Sequence, residues 1–298
     1  MQNPSRRAFL RGKTPEISQW DQFLLQLQRK TQIAMQRANA ATEQVQCTPS
    51  MAADVHHIRQ LCQTFGVQLR VGRLEAATEA LAQPELWLDM SALNQLMPID
   101  PEKNQWFIQP GVQVAQLKEA GFNIPSSVNE HLWVTEWLGQ KAYQNYTLAQ
   151  VEHSGIVHAS MLMSDGTTSS LGPFGAQNTK PLNTPLLRQL VPQLYELAQS
   201  ELVQQLMQSS LWPAQYRLDL FTPQNHTINL AHLLLGSANH LGLMEWVVMD
   251  KRSWRATDDV LQPLPQDLSL LVSEVDAAVK ALFDPESLFA SSLSQSEG

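Results

Sequence analysis

Cysteine is almost absent from this chain. Its two copies, Cys47 and Cys62, are fifteen residues apart and neither sits in a C-x-x-C pair, which leaves a disulfide framework, an iron–sulfur cluster or a cysteine-based metal site without support. Positive charge is also short. Against 28 Asp and Glu there are 20 Lys and Arg, a net charge of -8 that repels phosphate backbones and anionic lipid, so nucleic acid and membrane surfaces are excluded as main partners. No apolar run reaches the roughly 18 residues a membrane span needs. Glycine is sparse too, at 13 in 298 residues. What is plentiful is ordinary globular material, 43% hydrophobic and 16% charged, enough to bury a sizeable core.

The N-terminus, Ser5-Arg6-Arg7-Ala8-Phe9-Leu10-Arg11, has the look of a twin-arginine export signature. The following stretch from Gly12 to Gln22 carries Lys13, Pro15, Glu16 and Asp21 where a signal peptide needs about 7–15 apolar residues. A cytoplasmic protein with a basic arm, serving as a surface tail or docking peptide, is the expectation, with export as the lesser reading.

Periodicity predicts an α+β chain. Apolar residues at helical spacing from Trp20 to Ala41 predict one amphipathic helix. A second follows, with Asp54 as its cap, Val55, Ile58, Leu61, Cys62 and Phe65 as its apolar stripe, and Gly66 as its stop. Strands are expected at 67–71, 85–89 and 105–109, with a short turn of helix and a strand within 93–99. Helices are expected at 114–120 and around 133–138. The strand 156–163 should turn at Asp165-Gly166 into 167–171, since that dipeptide suits a tight hairpin. Residues 172–183 read as a loop and 186–208 as a helix. A strand pair is expected at 216–221 and 242–249 around a helix-like 230–235, and 268–283 reads as a last helix before a polar tail at 291–298. His56 and His57, early in a helix, have no carboxylate or cysteine at ligand spacing. Trp87, Trp106 and Trp246 fall in strands, where core packing accounts for them.

Several segments in order resemble the FAD-linked oxidase family of the vanillyl-alcohol-oxidase or p-cresol-methylhydroxylase (PCMH) type, which includes the flavin subunits of glycolate oxidase and D-lactate dehydrogenase. They are the helix and strand from Asp54 to Leu69; Trp87-Leu88-Asp89-Met90-Ser91-Ala92-Leu93-Asn94 with Ile99-Asp100-Pro101 and Gln109-Pro110-Gly111-Val112; Ser164-Asp165-Gly166-Thr167; Leu230 to Gly242; and Leu282-Phe283-Asp284-Pro285-Glu286-Ser287-Leu288. The resemblance implies a FAD-binding domain over 50–290, with subdomains at about 50–122 and 123–255 and a closing helix at 265–290. An arm and helix at 1–49 would precede it. It implies non-covalent FAD, because no histidine or cysteine falls in the loop from Arg70 to Ala77 where some relatives attach flavin. Arg70, Gly72 and Arg73 would grip the pyrophosphate, and Gly155, Gly236, Ser237 and Gly242 would border the cofactor. His153, His158 and His240 would fall near the flavin ring. With no separate cap domain recognisable, such a chain is expected to serve as one subunit beside a partner redox subunit, on an unidentified small substrate.

The same alignment exposes departures. The family loop "R-G-G-G-T/H-S/G" becomes Arg70-Val71-Gly72-Arg73-Leu74-Glu75-Ala76-Ala77, with one glycine left to let amides approach an anion. A second glycine cluster becomes Leu132-Trp133-Val134-Thr135-Glu136-Trp137-Leu138-Gly139, whose indoles suit space-filling better than cofactor contact. FAD binding is therefore the first expectation, and a flavin fold without cofactor, acting as scaffold or accessory subunit, is the alternative.

Overall fold

The computed structural model describes residues 17–31, 33–37, 42–74, 81–100, 102–144, 146–175, 179–209, 211–221, 227–252 and 266–291. The basic arm, Glu75 to Ala77 and the 292–298 tail lie outside the described residues. The expected α+β class holds: a four-stranded sheet and a five-stranded sheet each carry helices on one face.

In the first lobe, α1 (Gln19–Thr31) leads into β1 (Met35–Arg37), β2 (Gln44–Cys47), α2 (Ala52–Phe65), β3 (Gln68–Val71) and β4 (Glu85–Leu88). The strand order is β1-β2-β4-β3, with β2, β4 and β3 parallel and β1 antiparallel at the edge. Alternation sorts the two faces. Val45, Cys47, Leu69, Leu86 and Leu88 go under Phe23, Leu24 and Leu27 of α1 and Val55, Ile58, Leu61 and Cys62 of α2. Gln44, Gln46, Arg70, Glu85 and Trp87 take the opposite parity. Gly66 stops α2 in the left-handed conformation, as expected.

The second lobe orders its antiparallel strands β5 (Leu96–Asp100), β6 (Gln105–Ile108), β11 (Leu243–Asp250), β7 (Ile156–Leu162) and β8 (Thr168–Leu171). The β7–β8 hairpin turns at Asp165-Gly166 as predicted, with Gly166 at φ 88°. Ile108, Ala159, Leu171 and Val247 face a core built with α5 (Pro185–Ala198), α6 (Glu201–Leu206) and α7 (Gln266–Phe283). Two short helices, α3 (Val114–Glu119) and α4 (Val134–Gly139), follow β6, and a small pair, β9 (Pro173–Gly175) and β10 (Thr227–Asn229), completes the lobe.

Five local expectations are corrected. The helix predicted over 20–41 ends at Thr31, whose hydroxyl bonds back to Leu27 O at 2.8 Å, and residues 35–37 pair with β2 instead. Asp54 is not the cap of α2. Met51 occupies that position and Asp54 lies inside the first turn. The single helix predicted over 186–208 breaks at Ser200, whose hydroxyl caps Val203 N–H at 3.4 Å and starts α6. Residues 218–221 form a turn of 3-10 helix in place of the predicted strand, with Arg217 and Asp219 forming a fully buried ion pair. Part of the predicted 172–183 loop is β9, held by β10.

The lobes are joined by the C-terminal segment. Leu69 N–H donates to Leu288 O at 2.8 Å and Ala290 N–H to Leu69 O at 2.9 Å, so the chain after α7 runs beside β3. Asp284, 1% exposed, accepts Leu288 N–H at 2.9 Å, Phe289 N–H at 2.7 Å and the Lys280 ammonium. Lys280 also donates to His240 O and Phe289 O. Nearby, Ser164 Oγ donates to Phe283 O at 2.6 Å, and His56 of α2 meets Glu245 of β11 at 2.7 Å. Replacing Asp284 by Ala leaves a buried ammonium without its counter-charge and two buried amides unpaired, so urea denaturation should show a loss of about 3–5 kcal/mol. A loss below about 1 kcal/mol would mean the lobes are held elsewhere.

Candidate functional site

The loop after β3 meets the N-terminus of α4 where the lobes face each other. Arg70 is committed to its own sheet: Nε donates to Glu85 Oε1 at 2.7 Å and the guanidinium stands 5.7 Å from the Trp87 ring centre. Glu85, 5% exposed, also accepts Gln44 Nε2 at 3.1 Å and Trp87 Nε1 at 3.2 Å. Gly72 N–H donates to Leu88 O at 3.1 Å. Its φ of 146° is one side chains rarely adopt, which accounts for the glycine without any ligand. Leu74 N–H donates to Gln46 Oε1 at 2.7 Å, and Gln46 Nε2 in turn donates to Asp89 Oδ2 at 3.2 Å.

Across the seam, Trp133 N–H donates to Glu136 Oε2 at 2.9 Å, the reach-back of an N3 carboxylate to a helix start. The Arg73 guanidinium lies 4.9 Å from the centre of the Trp133 ring. A Cβ placed on Gly72 would stand 3.8 Å from Glu136 Oε1. Burial pushes the Glu136 carboxyl up, with Asp89 acting in the same sense and the Trp133 N–H and Arg73 against it.

The other expected site residues are held from within. Gly236 N–H donates to Leu138 O at 2.8 Å, its carbonyl accepts Gln215 Nε2, and Ala238 N–H donates to Gly139 O at 3.0 Å. Ser237 turns both its N–H and its hydroxyl onto Leu234 O. Asn239 Oδ1 accepts the Thr135 hydroxyl at 2.7 Å, fastening this loop to α4. Gly155 N–H donates to Glu152 O and its carbonyl accepts Asp250 N–H. At Gly242 the backbone crosses β7 so closely that a Cβ would fall 2.9 Å from Leu162 O. The three histidines have separate surroundings: His240 Nδ1 meets Tyr216 OH at 3.2 Å, His158 stands edge-on to Trp246, and His153 ends a 3-10 turn. The structure thus joins Gly72 and Arg73 to α4, and Gly236 and Ser237 to the far end of that helix. Of the three histidines, His240 joins them, its N–H donating to Ser237 O at 2.9 Å.

A diphosphate needs unspent N–H groups and positive surroundings. Gly72 and Leu74 have given their amides to Leu88 and Gln46, Arg70 is paired with Glu85, and Arg73 covers an indole beside Glu136 and Asp89. These residues do not fit the pyrophosphate of FAD. A half-open cavity of about 80 Å³ lined by Cys62, Gln63, Gln68, Gln83 and Glu286 is far too small for a dinucleotide. Among the described residues no group of three or more His, Cys, Asp or Glu could hold a metal, and no helix is long and apolar enough to cross a membrane. Both cysteines are free and buried, and burial pushes the Cys47 thiol up to about 12.

The residues that sequence reasoning missed are Gln46, Glu136 and Asn239. Only Glu136 had a local signal, three positions after Trp133 at a helix start.

No family model and no curated protein matches the sequence. Among solved structures the chain is similar to an alkyldihydroxyacetonephosphate synthase, at 16% identity and TM-score 0.40 over 69% of this chain and 32% of that one. It is similar to a BBE-like protein of Physcomitrella patens, at 12% and 0.43 over 76% and 44%. A third is the FAD-containing glucooligosaccharide oxidase of Acremonium strictum, at 11% and 0.43 over 76% and 42%. The chain spans less than half of each. Likeness this loose assigns neither a family nor a chemistry.

Burial also sets the response to acid. It pushes His158 and His240 down to about 4 and His232 to about 3, with Lys180, Lys280 and Arg217 respectively adding to the effect. Each folded value lies below the ordinary 6.5, so the unfolded chain binds more protons as pH falls through that window. Asp276, raised to about 6 mainly by burial, acts oppositely, its contribution being lost as pH rises from 3.8 through 6. Glu136, also raised by burial, acts with Asp276, so three histidines oppose two carboxyls. Denaturation midpoints should fall steadily from pH 6.5 to 4, and His232→Gln should flatten the slope; a profile unchanged by that substitution would refute the assignment.

Proposed function

We propose that this chain is a binding module without a flavin: an accessory subunit on an α+β scaffold whose sequence resembles the FAD-linked oxidases. The observation that carries the reading is the direct contact of Arg73 with Trp133, between the two segments that the resemblance sets on either side of a cofactor. The amide pairing of Gly72 and Leu74 supports it, because a loop that has satisfied its donors internally gains little from an anion. In this reading the partner is a redox subunit that carries the chemistry, and the basic arm from Ser5 to Arg11 is the docking element toward it.

One observation favours a second reading, in which FAD binds non-covalently and the chain is the flavin subunit of a 2-hydroxy-acid oxidoreductase. Gly72 keeps a backbone conformation open to glycine at the position the resemblance gives to the pyrophosphate loop. Spectroscopy separates the two. The purified full-length protein is expected to be colourless, to release no fluorescent flavin on heating, and to show no rise in melting temperature with excess FAD. A yellow preparation, or a FAD-dependent rise of several degrees, would overturn the cofactor-free proposal.

A further inference from the structure

We infer that Trp133 is a built-in occupant of the seam between the lobes, filling the space that a planar aromatic ligand would need. This rests on the cofactor-free reading above. Trp133 is 1% exposed, and it shares one apolar cluster with Leu88, Met90 and Leu93 of the first lobe and Leu162 and Leu243 of the second. One face of its ring receives the Arg73 guanidinium at 4.9 Å. Its backbone is fixed independently by the Glu136 carboxylate and by a bridge to Gln113. An indole packed in apolar side chains and capped by a cation is held as a bound aromatic molecule would be, with its attachment to α4 replacing the cost of association. Trp137 does not share this role, because it is fully buried in the second-lobe core.

Close-packed interiors relax only partly when a large side chain is removed, and dry apolar cavities of that kind accept small aromatic molecules. The full chain carrying Trp133→Ala should therefore melt lower than the parent and recover several degrees with saturating indole, while the parent shows no response. Hydrogen exchange at residues 72–74 should quicken in the variant and slow again with indole. A variant that indole does not restore, or a parent stabilised equally, would overturn the inference. Should Trp133→Ala fail to fold, the exposed Arg73 provides a second test: Arg73→Ala removes only the cap and should speed exchange of the 72–74 amides about two- to fivefold, and unchanged exchange would overturn the inference. Failure here with no FAD binding by the parent would remove the plug and leave the cofactor-free reading standing, whereas FAD binding by the parent would remove the reading itself.

Discussion

Two sheets of different construction, one mostly parallel and one antiparallel, have no ladder in common, so side chains and the C-terminal segment must join them. The Asp284 carboxylate is the centre of that join. It draws in Lys280 from the last helix and two amides from the segment beside β3, and Lys280 reaches on to the carbonyl of His240. The position of β3 relative to the 236–240 loop, and with it the approach of Arg73 to Trp133, follows from where these donors converge. A carboxylate 1% exposed tolerates this only because its partners arrive together.

That join was half visible in the sequence. Phe283-Asp284-Pro285 carried a resemblance, and the spacing of Lys280 and Asp284 is the ordinary helical pairing distance. Neither says that the carboxylate turns inward, which depends on Leu288 and Phe289 folding back along β3. The same distinction runs through the fold. The Asp165-Gly166 hairpin and the stop at Gly66 are local events governed by backbone conformation, and both were legible. The end of α1 at Thr31 was not, because it is set by pairing of Met35 to Arg37 with β2, ten residues on. Residues 216–221 alternate like a strand, yet 218–221 close into a turn of 3-10 helix, with Arg217 and Asp219 in a buried ion pair.

The seam shows the same limit. The loss of glycine after β3 and the indoles at 133 and 137 could be read directly, and both indoles are buried, in keeping with the space-filling expectation for them. What could not be read is who takes the amides. Gln46 lies 28 residues before Leu74 and came within the N-terminal extension in the sequence-based division, so its carbonyl on Leu74 N–H had no local signature. Asn239 and Thr135, 104 residues apart, are the same case.

These acceptors bear on function because a backbone amide removed from water must find a partner, and an amide nest without its anion is therefore unstable. A chain can meet that demand by keeping the anion or by supplying oxygens of its own. Here Leu88 O and Gln46 Oε1 serve the Gly72 loop, and Leu138 O and Gly139 O serve the loop at Gly236. With these acceptors in place, the Gly72 and Leu74 amides have no donor left for a diphosphate, and the Arg73 guanidinium lies over the Trp133 ring. Restoring glycine at one position would not reverse this, since the competing acceptors would remain in place. The indole and the paired amides thus act on the same side of the balance, one by volume and the other by hydrogen bonding.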